Sequence, residues 1–325
     1  MSAENYKQDI YPFVIEYINK NIDHEFHREI TSDYSERKGK YIRPSLVMMT
    51  AGAMGFDINK AIPVAAAMQI SEDWLLIHDD IEDDSLERRG LPTLHRQIGI
   101  PLAINAGDAL HALNWQLIHE IGNESIYQEF KKILNQTILG QTIEIDWSQN
   151  KKFNLSLDDV YQIIESKTCY YTISGPMRLG AILAGASSQQ LDLLYEFGLS
   201  LGKSYQIIDD YLDLTSDFDG QKKQQCNDLY EGKRTVFLVH LLNNCQDPKI
   251  IEILSKDRSS KTESEVNYIL DLMKKHGSLE YGYNLAKEFS GKALEIFNKD
   301  LTFLKVEPYR DQLAQTIDFI VNRKK

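Results

Sequence analysis

Cysteine is scarce in this chain and widely spaced. Cys169, Cys226 and Cys245 form no C-x-x-C pair and cannot all be bridged internally, which excludes a disulfide framework and predicts reduced thiols in a cytosolic compartment. No uninterrupted apolar stretch approaches the roughly 20 residues of a membrane span. The opening Met-Ser-Ala-Glu-Asn-Tyr-Lys is polar and lacks the apolar core of a secretory signal. A soluble, cytoplasmic protein with no integral membrane segment is expected. Positive charge is also in deficit: Lys and Arg total 36 against 48 Asp and Glu, a formal net charge of -12. That balance argues against a general nucleic-acid partner. Proline is limited to 8 residues, most of them at the edges of helical patterns, where they start or break helices.

What the chain does have is helical periodicity almost throughout. Leu191, Leu194, Gly198, Leu201, Tyr205 and Ile208 recur at three- and four-residue steps. Similar patterns run over about 61–83, 103–121, 124–147, 157–185, 227–244, 263–298 and 308–323. Pro44 and Pro63 suit first-turn positions, where a missing N–H costs little. Gly175-Pro176 falls inside a helical pattern and predicts a kink. The breaks near 33–40, 85–100, 148–155, 216–226 and 256–262 are short and not low in complexity, so neither a linker nor a tandem repeat is expected. With 325 residues, 42% hydrophobic and 26% charged, the expectation is a single all-α domain over 1–325, a bundle of long helices around a central cavity.

Two clusters carry the chemistry. Asp79-Asp80-Ile81-Glu82-Asp83 and Asp209-Asp210-Tyr211-Leu212-Asp213 share one D-D-x-x-D spacing, each inside a helical apolar run. Positions i, i+1 and i+4 of a helix fall on one face. Carboxylates crowded there repel one another unless a cation sits between them. Oxygen-only ligands suit a hard ion such as Mg2+, which takes one or two carboxylates plus substrate phosphates. Arg88 and Arg89 follow the first cluster and can fold back as forks for phosphate oxygens. Gly39-Lys40-Tyr41-Ile42-Arg43-Pro44 places two cations just before a helix that begins at proline, an anion site without Walker A spacing. Lys167-Thr168, Gln206 and Asp228–Thr235 complete the set. Gln206, three residues before Asp209, lies on the same face and can point into the same cavity.

In family order from Gly39 to Thr235, these motifs (G-K-x-x-R-P, D-D-x-x-D with R-R-G, K-T, G-x-x-Y-Q-x-x-D-D-x-x-D and E-G-K) resemble the trans-isoprenyl diphosphate synthases, the family containing farnesyl and geranylgeranyl diphosphate synthases. The resemblance implies that Asp79, Asp80, Asp83 and Asp209 hold Mg2+ on an allylic diphosphate, with Asp210 and Asp213 in support. It implies that Arg88, Lys167 and Lys233 neutralise that group, that Lys40, Arg43 and Arg89 hold isopentenyl diphosphate, and that Thr168 and Gln206 turn oxygen dipoles toward the allylic cation. Lys223 is a further phosphate ligand by the same resemblance, although the family's G-K spacing is disturbed at Gly220-Gln221-Lys222-Lys223. A homodimer through helices near 103–147 is also implied. A non-catalytic subunit of a heteromeric synthase and a class I terpene cyclase remain as alternatives. Intact carboxylates in both motifs argue against the first, and G-K-x-x-R-P argues against the second.

Two positions depart from the pattern or tune it. Seven residues before Asp79, where the family commonly has His or Gln, stands Glu72. A carboxylate aimed at a diphosphate repels it unless a proton, a metal or an arginine intervenes. The expectation is altered isopentenyl diphosphate binding, with Glu72→His lowering its Michaelis constant. Trp74 sits five residues before Asp79, roughly 7–8 Å along the helix axis. In the family, bulk there closes the product tunnel; Ser71 beneath it is small. A product of fifteen to twenty carbons is expected, geranylgeranyl diphosphate first and farnesyl diphosphate otherwise. His24 and His27 have no carboxylate or thiol company for zinc, and His78 reads as a helix neighbour of Asp79.

Overall fold

In the computed structural model of this chain, residues 3–215 and 225–321 are described, with side chains from residue 6 onward. Among them the expected all-α architecture is observed, relieved only by a two-residue antiparallel ribbon, Glu87–Arg88 against Leu91–Pro92. The chain forms two compact units. One comprises residues 1–132, 172–195 and 301–317; the other comprises 133–171, 196–300 and 318–325.

In the first unit, helix Ile62–Glu82 packs against Ile100–Ile121, Ala3–Asn21 and Ile42–Ala53, and Ile42–Ala53 packs in turn on Gly175–Leu183. Val64, Ala65, Ala66, Ala67, Met68 and Ile70 are fully or almost fully buried; the small alanines let neighbouring helices approach. Helix Ile42–Ala53 is buried on nearly all sides, as its apolar composition requires. Pro63 occupies the first turn of Ile62–Glu82, as expected. The proline expected to begin the other helix does not. That helix starts at Ile42, so Arg43 and Pro44 lie within its first turn, and the left-handed Tyr41 (φ 55°) is its N-cap.

The ribbon explains how Arg89 is aimed. Arg88 pairs with Leu91, leaving Arg89 (φ 55°) and Gly90 (φ 78°) at the tip. Positive φ at both central residues is the two-residue hairpin turn that matches strand twist, and glycine makes it accessible. Arginine at such a φ is strained, so the turn fixes Arg89 at some conformational cost.

In the second unit, Ile207, Leu229, Phe237, Leu238, Leu241, Ile269 and Met273 belong to one core. Several expected long runs are divided. Gly277 (φ 69°) separates Glu263–Lys275 from Ser278–Lys299, and Gly232 (φ 75°) ends Asn227–Glu231 before Val236–Asn244. Left-handed glycine is the usual helix terminator, which apolar periodicity alone does not register. The run over 157–185 begins in this unit with an α-turned start, Leu157–Ile163, continues as an eleven-residue π-helix, Ile164–Ser174, and ends as the helix Gly175–Leu183 of the first unit. A change of helix type, from π to α, falls at Gly175-Pro176, where the kink is expected. No helix among the described residues is long and apolar enough to cross a membrane.

Candidate active site

In the first unit the aspartate cluster closes helix Ile62–Glu82, with Asp83 as its C-cap. Asp80 has no exposure to solvent. It accepts a short hydrogen bond from Tyr34 Oη and is gripped by Arg88, whose Nε lies 3.1 Å from each carboxylate oxygen. The same guanidinium reaches to 3.6 Å from Asp79. A cation does sit among the carboxylates, and in this structure it is arginine. Asp79 and Asp83, one turn apart, are more accessible than Asp80.

Beside them lies an arginine–carboxylate network. Glu72, whose side chain is 10% exposed, places Oε2 3.2 Å from Arg43 and Oε1 3.4 Å from Arg89. Arg43 also donates to Thr172 Oγ1 at 3.0 Å. Arg89 donates to the Tyr34 carbonyl at 2.6 Å and to Asp73 at 3.3 Å. Asp73 is wholly buried and accepts from Ser35 and Gln69 as well; burial pushes its carboxyl up to about 6. The backbone of Gly39 lies against the Arg89 guanidinium, and Lys40 next to it is exposed. The four positions that the resemblance assigns to one substrate, Lys40, Arg43, Glu72 and Arg89, are therefore neighbours within one unit, and two of the three cations are paired to Glu72.

Trp74 is 5% exposed and stacks on His111, ring centroids 4.2 Å apart. Its Nε1 donates to His78 at 3.2 Å, and Trp115 Nε1 donates to His111 at 2.8 Å. Burial lowers the His111 pKa, favouring the neutral ring. Ser71 is buried and donates back to the Met68 carbonyl. His78 is a helix neighbour as expected, bonded to Trp74 and 3.7 Å from Asp108. His24 caps helix Glu25–Glu36.

In the second unit, the π-helix presents Lys167 and Thr168. π-turns recur at functional sites because the widened turn re-aims side chains. Thr168 donates to Gln206 at 2.7 Å, and Gln206 donates to Asp210 at 2.7 Å. Gln206 thus bonds the aspartate four residues on and not Asp209. Close approach at Gly202 sets this register: a Cβ there would fall 2.6 Å from the Cys169 backbone. Lys167 pairs with Glu144 at 2.6 Å. Asp213 accepts the backbone N–H groups of Asn227 and Asp228 at 3.2 and 3.1 Å, bracing the start of helix Asn227–Glu231. Lys233 lies 2.7 Å from Glu231 and 3.9 Å from Asp228. Lys223 lies outside the described residues.

Among the described residues, no three His, Cys, Asp or Glu side chains stand arranged as a metal site. The donor chemistry nevertheless fits a hard cation. Burial first, then the charges of Asp209 and Asp213, push the Asp210 carboxyl up to about 8. Burial and Asp213 likewise raise Asp228 well above the usual range. Carboxylates this crowded lack positive charge, and every donor is oxygen.

Sequence reasoning missed Tyr34, Thr172, His111 and Glu144. Each joins the site through a contact distant in sequence, with no local motif to mark it. Asp228 was visible within its motif, but its place beside Asp213 was not.

Residues 24–273 match the polyprenyl synthetase family. The chain is 32% identical over 269 residues to a geranylgeranyl diphosphate synthase of Sulfolobus acidocaldarius, covering 80% of each. It is 31% identical over 293 residues to a short chain isoprenyl diphosphate synthase of Methanothermobacter thermautotrophicus, covering 88% of this chain and 87% of that protein. Its fold is similar to the crystal structure of a geranylgeranyl pyrophosphate synthetase from Pyrococcus horikoshii, with a TM-score of 0.86 at 29% identity and coverage of 99% and 97%. With most of its length matched and its aspartate, arginine and lysine motifs in place, the chain belongs to the polyprenyl synthetase family of prenyltransferases.

Proposed function

We propose that this chain condenses an allylic diphosphate with isopentenyl diphosphate, head-to-tail, to a short all-trans prenyl diphosphate, with geranylgeranyl diphosphate as main product. The observation that carries the proposal is the pair of D-D-x-x-D clusters, with Arg88 on Asp79 and Asp80 in the first and the charge of Lys233 acting on Asp210 in the second. The names of the relatives support the same reading. Asp79, Asp80, Asp83 and Asp209, with Asp210 and Asp213 in support, would hold Mg2+, which when bound supplies positive charge against the departing pyrophosphate. Arg88, Lys167 and Lys233 add charge-assisted contacts to the allylic diphosphate; Lys223 belongs to the same proposal. Lys40, Arg43 and Arg89 hold isopentenyl diphosphate, whose double bond attacks the allylic carbon. A proton is then lost, to the released pyrophosphate. Thr168 and Gln206, hydrogen-bonded to each other, orient oxygen dipoles toward the transient cation, and the apolar interior keeps water from it.

Trp74 is the proposed floor for the prenyl tail, and His111 stacked on it holds the floor in place. A single domain over 1–325 around an interior cavity, a cytoplasmic location and a homodimer are parts of the same proposal. Ile100, Ile104 and Tyr127, exposed on the helices expected to pair, support the dimer.

The test incubates the full chain with Mg2+, isopentenyl diphosphate and, separately, dimethylallyl, geranyl and farnesyl diphosphates, with products identified by mass. Elongated all-trans chains are expected. Glu72 lying across Arg43 and Arg89 favours one second reading, an enzyme that ionises an allylic diphosphate without using isopentenyl diphosphate. Pyrophosphate release without elongation would establish that reading, and no turnover at all would indicate a non-catalytic subunit.

A further inference from the structure

We infer that Glu72 is an internal counter-anion that occupies the arginine pair of the isopentenyl diphosphate site, so that the substrate binds by displacing it. The inference rests on the prenyl-transfer reading above. Each carboxylate oxygen of Glu72 faces a different guanidinium, Arg43 at 3.2 Å and Arg89 at 3.4 Å, which is how a bridging phosphate would use the pair.

Among the described residues, both arginines bond to groups besides Glu72, whereas the Glu72 carboxylate pairs with the two arginines alone. Arg89 is pinned by its turn, by the Tyr34 carbonyl and by Asp73. Arg43 is pinned by Thr172 Oγ1. Glu72 lacks a further partner of this kind among the described residues. Its ion pairs are longer than the 2.7–2.9 Å of strong charge-assisted bonds, and its buried Oε2 makes no hydrogen bond. Asp73 beside it is satisfied by Ser35, Gln69 and Arg89. The two guanidinium charges are matched by Glu72 and Asp73, so these four groups offer an incoming diphosphate no net attraction. Swinging Glu72 aside exposes one unit of positive charge and both forks. Glu72 thereby sets the affinity and competes with substrate for the same two donors.

Glu72→Gln keeps the size and removes the charge; Glu72→His is the second variant. Initial rates over a range of isopentenyl diphosphate concentrations, and calorimetric titration of each full chain with isopentenyl diphosphate alone, read the effect. A drop on the order of 10-fold in KM and Kd for isopentenyl diphosphate is expected, with the gain confined to that substrate and absent from the KM for farnesyl diphosphate. If the unaltered chain condenses both substrates while both variants bind isopentenyl diphosphate no better, the inference falls and prenyl transfer stands. If both variants fail to fold, Glu72 is a structural brace and the inference falls too. If no form of the chain binds or condenses isopentenyl diphosphate, the prenyl-transfer reading itself is overturned.

Discussion

Asp73 shows how one buried group ties stability to pH. Its folded pKa, about 6, stands above the 3.8 of an ordinary aspartate, chiefly because of burial. A raised value means that the folded state favours the protonated form. The stabilising contribution is therefore complete below about pH 4 and lost as pH rises through about 6. We expect Asp73→Asn to remove this dependence. In urea unfolding from pH 4 to 7.5, the stability of the variant minus that of the unaltered chain should grow with pH by on the order of 3 kcal/mol; parallel curves would contradict this. At this scale the sequence was partly legible. Glu72 stood out because a carboxylate aimed at a diphosphate is electrostatically wrong. A basic partner was legible too, since the resemblance sets Arg43 and Arg89 at the same diphosphate; that both pair with Glu72 joins segments that motif spacing does not relate. Arg88 read as a phosphate fork, yet it lies on Asp80. Motif spacing does not express that partner, which is chosen by burial of the Asp80 carboxylate.

Elements place these residues with little slack. Helices Ile62–Glu82 and Ile100–Ile121 bring Trp74 onto His111. Trp74→Ala should lengthen the product and cost about 3–5 kcal/mol of stability through the cavity it leaves. His111→Ala should lengthen the product in part, by releasing the indole. Product masses from both variants decide, and unchanged distributions would show that Trp74 is not the floor of the prenyl tail. The π-helix is equally exacting. Gly202→Ala would drive a Cβ to 2.6 Å from the Cys169 backbone, shift Thr168 from Gln206 and cost about 1–3 kcal/mol. A clear loss of kcat with a lowered Tm is expected, and normal turnover would show that the Thr168–Gln206 register is dispensable. Helix positions were legible from 3.6-residue periodicity. The π-turns were not, since a widened turn keeps the same apolar composition, and neither were the stops at Gly232 and Gly277, which rest on backbone conformation.

At the scale of the whole molecule, the all-α class and the family motifs could be read from the chain, because each is a local pattern of residue types. The two compact units could not. Their segments interleave, with 172–195 and 301–317 returning to the unit that holds 1–132, and periodicity carries no information on such long-range pairing. The proposed prenyl transfer requires both aspartate clusters and a hard cation. If each metal contact contributes several kcal/mol to the transition state, losing either cluster should cost roughly 10³-fold or more in rate. The most direct measurement follows twenty-carbon diphosphate formed from farnesyl and isopentenyl diphosphates while Mg2+ is titrated into EDTA-treated protein, for the unaltered chain and for Asp79→Ala and Asp209→Ala. Formation that rises with Mg2+ and falls at least about 10³-fold in both variants is the predicted result. Condensation that ignores the metal, or survives the loss of either aspartate, would rule out metal-driven prenyl transfer at these clusters.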